Sequence, residues 1–318
     1  MISRSNPKLE GLAMPLFDRY LFADYSGGGE NHHAQGNIRL YRCTLDGEPA
    51  RLVHSVKTRQ TAQPQNFSRD SLVARVQREL AEASHTGHRM LFGFDHQYAW
   101  PPHLRHLAGI ANIAWREALR LLDAGDPDRG LPPLDTPRRY CAAFNLYCGK
   151  DVFWSPLNGI ANKYGIGRKP LRLPAAERFR LTELVAPVRG RSRPKAADAV
   201  GGQGAGIVGG QTICGLYQIA RMLDDPAIAW WPFDGFDIQA EAYAGKHVGI
   251  EIYPSALRPV HVARDDDADA YHSCLCLRDA DRADNLRALA VVTPPADLRD
   301  RIRGEGWIVG MDPEGLVD

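Results

Sequence analysis

Asp24 closes the apolar run Tyr20–Ala23, and Asp95 closes Met90–Phe94. Glu251 sits inside Val248–Tyr253, and Asp265, Asp266, Asp267 and Asp269 crowd one short string. A carboxylate at the polar end of a buried strand is held rigidly at a sheet edge, where several such ends converge. Convergent oxygen ligands suit Mg²⁺ or Mn²⁺ rather than zinc. The four positions therefore read as one metal site. Each has a plainer alternative: turn capping for Asp24 and Asp95, an ion pair with an arginine for Glu251, and solvated helix caps for Asp265 and Asp267.

Other residues have chemistry to offer. His32, His33 and His96 lie near these acids in sequence and could act as acid, base or ligand, although loop histidines are more often merely exposed. The Gly-rich stretch 201–212 precedes a helix, so Gly209, Gly210, Gln211 and Thr212 could cradle phosphate through backbone N–H groups. Close backbone packing accounts for it equally well. It has no Gly-Lys-Ser/Thr ending and follows no clear strand, so neither nucleotide fingerprint is met. Arg189, Arg191, Arg193 and Lys195 form a basic, solvated loop that could track a phosphate backbone. Phe153, Trp154, Trp230 and Trp231 could stack bases, with core packing the stronger account.

The elements that must position these groups are legible from pattern. Tyr20–Ala23 ends at Ser26-Gly27-Gly28-Gly29, the signature of a buried strand meeting a loop. Asn37–Thr44 and Arg51–Lys57 alternate around L-D-G-E-P and predict a hairpin. Ser68 or Asp70 caps a helix whose Leu72, Val73, Val76, Leu80 and Ala83 recur at helical spacing. Met90–Phe94 and Val248–Tyr253 predict two more buried strands, stopped by the prolines of H-Q-Y-A-W-P-P and by Pro254. Helices are expected over Ile110–Asp123, Gln211–Leu223, from Asp266 or Asp267 through Ala280, and over Ala283–Leu289. G-W-I-V-G-M-D near residue 310 predicts a short edge element.

Length and composition set bounds. A chain of 318 residues, 44% hydrophobic and 24% charged, buries a full core and is neither disordered nor membrane-embedded. Lys+Arg at 39 against Asp+Glu at 38 leaves +1, which excludes strong global attraction to a polyanion but allows a local basic patch. The first residues lack a signal-peptide core and no stretch approaches the ~20 apolar residues that span a bilayer, so a cytoplasmic protein without a membrane partner is expected. The six cysteines have neither C-x-x-C spacing nor disulfide-scaffold density and read as reduced, mostly buried thiols.

The predicted order is strand, strand, strand, helix, strand, long helical insert, strand, helix. With an acid on the first strand, another on the fourth and a last pair opening the final helix, it resembles the ribonuclease H-like fold, especially its resolvase-type branch. Asp266 and Asp269 in D-D-A-D-A match the D-x-x-D-A of the resolvase final helix, a spacing that places both carboxylates on one helix face. The whole chain is similar to a bacterial family of ribonuclease H-like proteins described as nucleases. F-A-D-Y-S-G (22–27), G-F-D-H-Q-Y-A-W-P (93–101), G-Q-G-A-G-I-V-G-G-Q-T-I-C-G-L (202–216), W-W-P-F-D (230–234), G-I-E-I-Y-P-S (249–255) and E-G-W-I-V-G (305–310) carry that likeness.

The resemblance implies an α/β protein with a ribonuclease H-like mixed sheet over residues 18–318, an insertion at about 103–245 and an N-terminal extension at 1–17. It also implies a nuclease that uses two Mg²⁺ or Mn²⁺ ions about 4 Å apart to cleave DNA or RNA. In that scheme Asp24 bridges the ions, Asp95 and Asp269 each complete one, and Asp266 or Glu251 adds a ligand or base. An ATP-dependent phosphotransferase of the sugar-kinase or actin-like type shares the core and is the direct rival, although its later nucleotide loops are not recognisable. A non-catalytic binding or scaffold protein is the third reading.

Overall fold

The computed structural model describes residues 14–25, 38–57, 62–185, 196–201, 208–259, 261–263 and 265–311. Strands occupy Arg19–Asp24 (β1), Arg39–Thr44 (β2), Ala50–Leu52 (β3), His54–Lys57 (β4), Ala62–Gln65 (β5), Met90–Phe94 (β6), Ile228–Trp230 (β7) and His247–Glu251 (β8). Helices occupy Arg69–His85 (α1), Pro102–Leu107 (α2), Trp115–Ala124 (α3), Pro137–Cys148 (α4), Asn158–Tyr164 (α5), Ala175–Arg178 (α6) and Leu181–Leu184 (α7). They continue with Gly209–Ala220 (α8), Pro254–Leu257 (α9), Asp266–Arg282 (α10), Leu286–Leu289 (α11) and Arg299–Glu305 (α12).

β6 and β8 are buried along their whole length and β1 at every residue after Arg19, which is why their sequences are nearly continuous apolar runs. They form the middle of a six-stranded mixed sheet of order β3-β2-β1-β6-β8-β7. β2 is antiparallel to β1 and β3, whereas β1, β6, β8 and β7 run parallel. β4 and β5 form a separate antiparallel pair.

Because side chains alternate along a strand, each central strand feeds two cores. Tyr20, Phe22, Leu91, Val248 and Ile250 join Cys274 and Leu277 of α10 on one face. Leu21, Ala23, Phe92 and Phe94 join Leu72 and Val76 of α1 and Ile213 and Leu216 of α8 on the other. α1 starts where expected: Ser68 is its N-cap, and the Ser68 and Ser71 side chains satisfy each other's backbone N–H groups.

Gly93 marks the tightest point between β6 and β8. A Cβ there would lie 2.4 Å from the carbonyl oxygen of Ile250 and 3.0 Å from the Phe22 ring. Gly93→Ala is expected to cost about 2 kcal/mol through this overpacking. Urea denaturation measures it, and an unchanged midpoint would show that the strands can spread.

Four local expectations change. Arg51–Lys57 is not one strand: it divides at Val53, and its second half leaves the main sheet to pair with β5. The helix expected from Ile110 starts at Trp115, because the carbonyls of Ile110, Ala111 and Ile113 turn toward the buried Arg105 guanidinium, at 3.1, 3.3 and 3.1 Å. β7 extends the sheet beyond β8 with three buried residues, too short a run for period-2 reasoning to register. The expected edge element near residue 310 is a single parallel bridge between Ile308 and Glu251.

Candidate metal centre

Asp24 is the last residue of β1, and the β1–β6 register pairs Ala23 with Phe94. The next bond continues it, with the Asp95 N–H donating to the carbonyl of Ala23 at 3.1 Å. Asp24 and Asp95 therefore fall side by side, two residues past the matched pair Phe22 and Gly93 and so on the same face of the alternating strands, the face covered by α10. Their side chains hydrogen-bond to each other. Burial first, then the charges of Asp95, Asp266 and Asp269, push the Asp24 carboxyl well above the usual carboxylate range.

α10 delivers the other acids by its pitch. Asp266 and Asp269 are three residues apart on one face and both act on Asp24, whereas the intervening Asp267 faces β2. Asp267 accepts from Arg39 Nε at 3.0 Å and from the Tyr41 hydroxyl at 3.1 Å, and pairs with Arg51 Nε at 3.3 Å. It is an anchor of α10 to β2 rather than a solvated cap. Asp265 occupies the N-cap position, but its side chain makes no capping hydrogen bond; its carbonyl accepts from the Asp269 N–H at 2.8 Å. Asp269 pairs through Oδ1 with Nε of Arg258, at 2.5 Å.

Glu251 is placed elsewhere. The β6–β8 register pairs Phe94 with Glu251, so Glu251 points to the same face as Phe94 and opposite to Asp24 and Asp95. Both of its oxygens are engaged: Oε1 by Arg180 Nη2 at 2.5 Å, and Oε2 by Arg180 Nη1 at 2.8 Å and the Tyr98 N–H at 3.0 Å. The expected role of Glu251 as a metal ligand or base gives way to the ion-pair alternative. Arg180 also binds Glu183 at 2.6 Å, and Glu183 accepts from Gln97 Nε2 at 2.7 Å. Arg180, Glu183 and Glu251 are all buried. Burial opposes the Arg180 charge, but Glu183 and Glu251 outweigh it and raise its pKa; burial raises that of Glu183 despite the arginine.

The remaining candidates divide. His96 is enclosed between Phe94, on which it stacks at 5.6 Å, and α8, where a Cβ on Gly215 would lie 2.3 Å from its Nδ1. Burial, aided by the charges of Arg180 and Arg69, lowers its pKa to about 3, so it is neutral and packed rather than an exposed acid or base. Gly209 serves close packing, since a Cβ would come within 2.3 Å of the Ala197 carbonyl and 2.5 Å of that of Ala199. Gln211 Nε2 donates to the Asp95 carbonyl, and Thr212 Oγ1 lies 3.4 Å from Gln97 Oε1. Their side chains thus tie the start of α8 to the turn that carries Asp95 and Gln97. Gly210 faces open space. Phe153, Trp230 and Trp231 are core residues. His32, His33, Arg189, Arg191, Arg193 and Lys195 lie outside the described residues.

Sequence reasoning missed Arg180 and Arg258. Arg180 sits in F-R-L-T-E-L (179–184), where its only trace is a charge in a short apolar segment. Arg258 follows Pro254–Leu257 with no spacing signal at all.

An α/β protein with a mixed six-stranded sheet, carrying a group of carboxyl side chains at the C-terminal ends of its central parallel strands, is what these elements define. Among the described residues, no set of three or more His, Cys, Asp or Glu side chains is arranged to hold a metal ion, and no helix is long and apolar enough to cross a membrane. Comparison with known protein families, with curated proteins and with solved structures gives no significant match for the chain.

Proposed function

We propose that the chain is a divalent-cation-dependent phosphodiesterase of the ribonuclease H-like kind, acting on DNA or RNA. The observation that carries this reading is the hydrogen-bonded pair Asp24 and Asp95 at the ends of neighbouring parallel strands, with Asp266 and Asp269 close enough to raise the Asp24 pKa. A buried carboxyl group whose charged form is opposed by three neighbouring acids is relieved by a cation. The mixed six-stranded sheet of this α/β chain is compatible with the reading.

The donor set fits a hard ion: four carboxyl groups, all oxygen donors, with the His272 imidazole close enough to Asp269 to feel its charge. Asp24, Asp95, Asp266 and Asp269 are the residues that would hold Mg²⁺ or Mn²⁺. When bound, such an ion supplies Lewis-acid activation of water and stabilises a departing oxygen. The protein's own part is positioning. The β1–β6 register sets Asp24 beside Asp95, Gln211 fixes the backbone at Asp95, and Arg39 with Arg51 hold the first turn of α10 through Asp267.

The test is a cleavage screen over single-stranded, duplex and branched DNA and RNA in Mn²⁺, with Asp24→Asn as control. Cleavage by the wild type alone is expected. Identical cleavage by both proteins would point to a contaminant, and ATP turnover without cleavage would favour the phosphotransferase.

A further inference from the structure

The acids of the candidate centre already have a resident cation, and it comes from the protein. Arg258 caps the C-terminal end of α9 and reaches Asp269 in the first turn of α10, with Nε 2.5 Å from Oδ1. Both side chains are nearly withdrawn from solvent, at 12% and 10% exposure, so their attraction is less screened than that of a surface pair. The same guanidinium donates through Nη1 to the carbonyl of Val262, four residues on. Arg258 is thus held at both ends, by the segment that follows it and by an acid that also acts on Asp24.

We infer that Arg258 competes with a divalent cation for Asp269 and sets the affinity and number of ions that the centre accepts. This rests on the proposed phosphodiesterase reading of the same residues. An ion coordinated at about 2.0–2.1 Å from a carboxylate oxygen and a guanidinium in contact with that oxygen exclude each other on space and charge. Full occupancy of the centre requires Arg258 to release Asp269.

Calorimetric titration of Mn²⁺ into the full chain tests this. Arg258→Gln removes the charge while keeping a donor for Val262, and Arg258→Ala removes both. Either variant is expected to bind Mn²⁺ about tenfold more tightly than wild type or to take up one more ion, a tenfold change being about 1.4 kcal/mol. Adding Asp269→Asn to Arg258→Gln is expected to erase the gain, and Arg258→Lys to restore wild-type binding. Equal or weaker binding by Arg258→Gln, with binding still lost in Asp24→Asn, would overturn the role of Arg258 and leave the metal centre standing. Absence of Mn²⁺ binding in wild type and variants alike would remove the metal centre and this competition together.

Discussion

Asp24→Asn is expected to weaken divalent-cation binding by at least about 100-fold while making the cation-free protein more stable. The affinity loss follows from removing a residue on which the other acids converge, since even groups one step removed from a metal are worth about 10–100-fold. The gain in stability follows from the direction of the Asp24 shift. Burial, then Asp95, Asp266 and Asp269, hold its carboxyl in the neutral form above the usual carboxylate range. A group whose folded pKa is raised contributes stability below its unfolded pKa and loses that contribution as pH rises through the folded value. Asparagine, neutral at every pH, escapes the loss.

The variant should therefore melt close to wild type at pH 4 and above it at pH 7 and 8, by about 1 kcal/mol or more, as relief of a functionally strained site commonly gives. In a chain of 318 residues that is a shift of about 1.5 °C or more. Thermal melts in EDTA across that pH range decide it. A variant that melts below wild type at neutral pH would mean that the Asp24 carboxyl stabilises the fold, contrary to an acid kept for a cation. With saturating Mn²⁺ the order should reverse, because only the wild type gains binding energy.

Arg180→Met should be the most damaging single change to the fold. Arg180 is wholly buried and holds Glu251 at 2.5 Å, Glu183 at 2.6 Å and the carbonyl of Glu305 at 3.1 Å. Removing it strands two buried carboxylates, a loss of about 3–5 kcal/mol. The loss depends on pH with a definite sign. Burial already raises the Glu183 pKa, and without the arginine that opposes the rise it climbs further. Its stabilising contribution then survives in acid and is lost as pH rises, so the defect should be smaller at pH 5 than at pH 8. Urea denaturation at the two pH values measures it.

Substituting the acids as well, as Arg180→Met with Glu183→Gln and Glu251→Gln, should recover part of the loss, because uncharged groups do not repel. A deficit below about 1 kcal/mol for the single variant would show that water replaces the arginine. Glu251→Gln alone should leave Mn²⁺ affinity unchanged, since Glu251 lies on the other face of the sheet from Asp24 and Asp95. A tenfold fall in affinity would return Glu251 to the metal centre.

Most of the candidate site was legible because its cause is local. Asp24 and Asp95 each follow a run of buried residues, and a run of that kind names both the strand and its polar end. The three-residue spacing of Asp266 and Asp269 puts them on one helix face wherever the helix packs, and it also turns Asp267 away. The start of α1 was equally legible, the sequence offering Ser68 or Asp70 as its cap and the fold using Ser68. Glu251 was not. Its strand could be named from sequence, but its face depends on whether Phe94 or Asp95 lies opposite, and a slip of one residue exchanges the two. The Gly-rich stretch was ambiguous for a related reason: the need of Gly209 for space is created by Ala197 and Ala199, which only the folded chain brings against it.

The amino-acid sequence by itself determined the central strands, the capped helix after them, and four acids placed to meet at one sheet edge, because hydrophobic period and capping act over a few residues. Tertiary structure alone decided which acids share a face and which cation each one meets. Arg180 reaches Glu251 across 71 residues and Arg258 reaches Asp269 across a change of direction between two helices. Pairings of that kind are fixed by strand register and helix packing, whose physical basis is the burial of distant apolar surfaces.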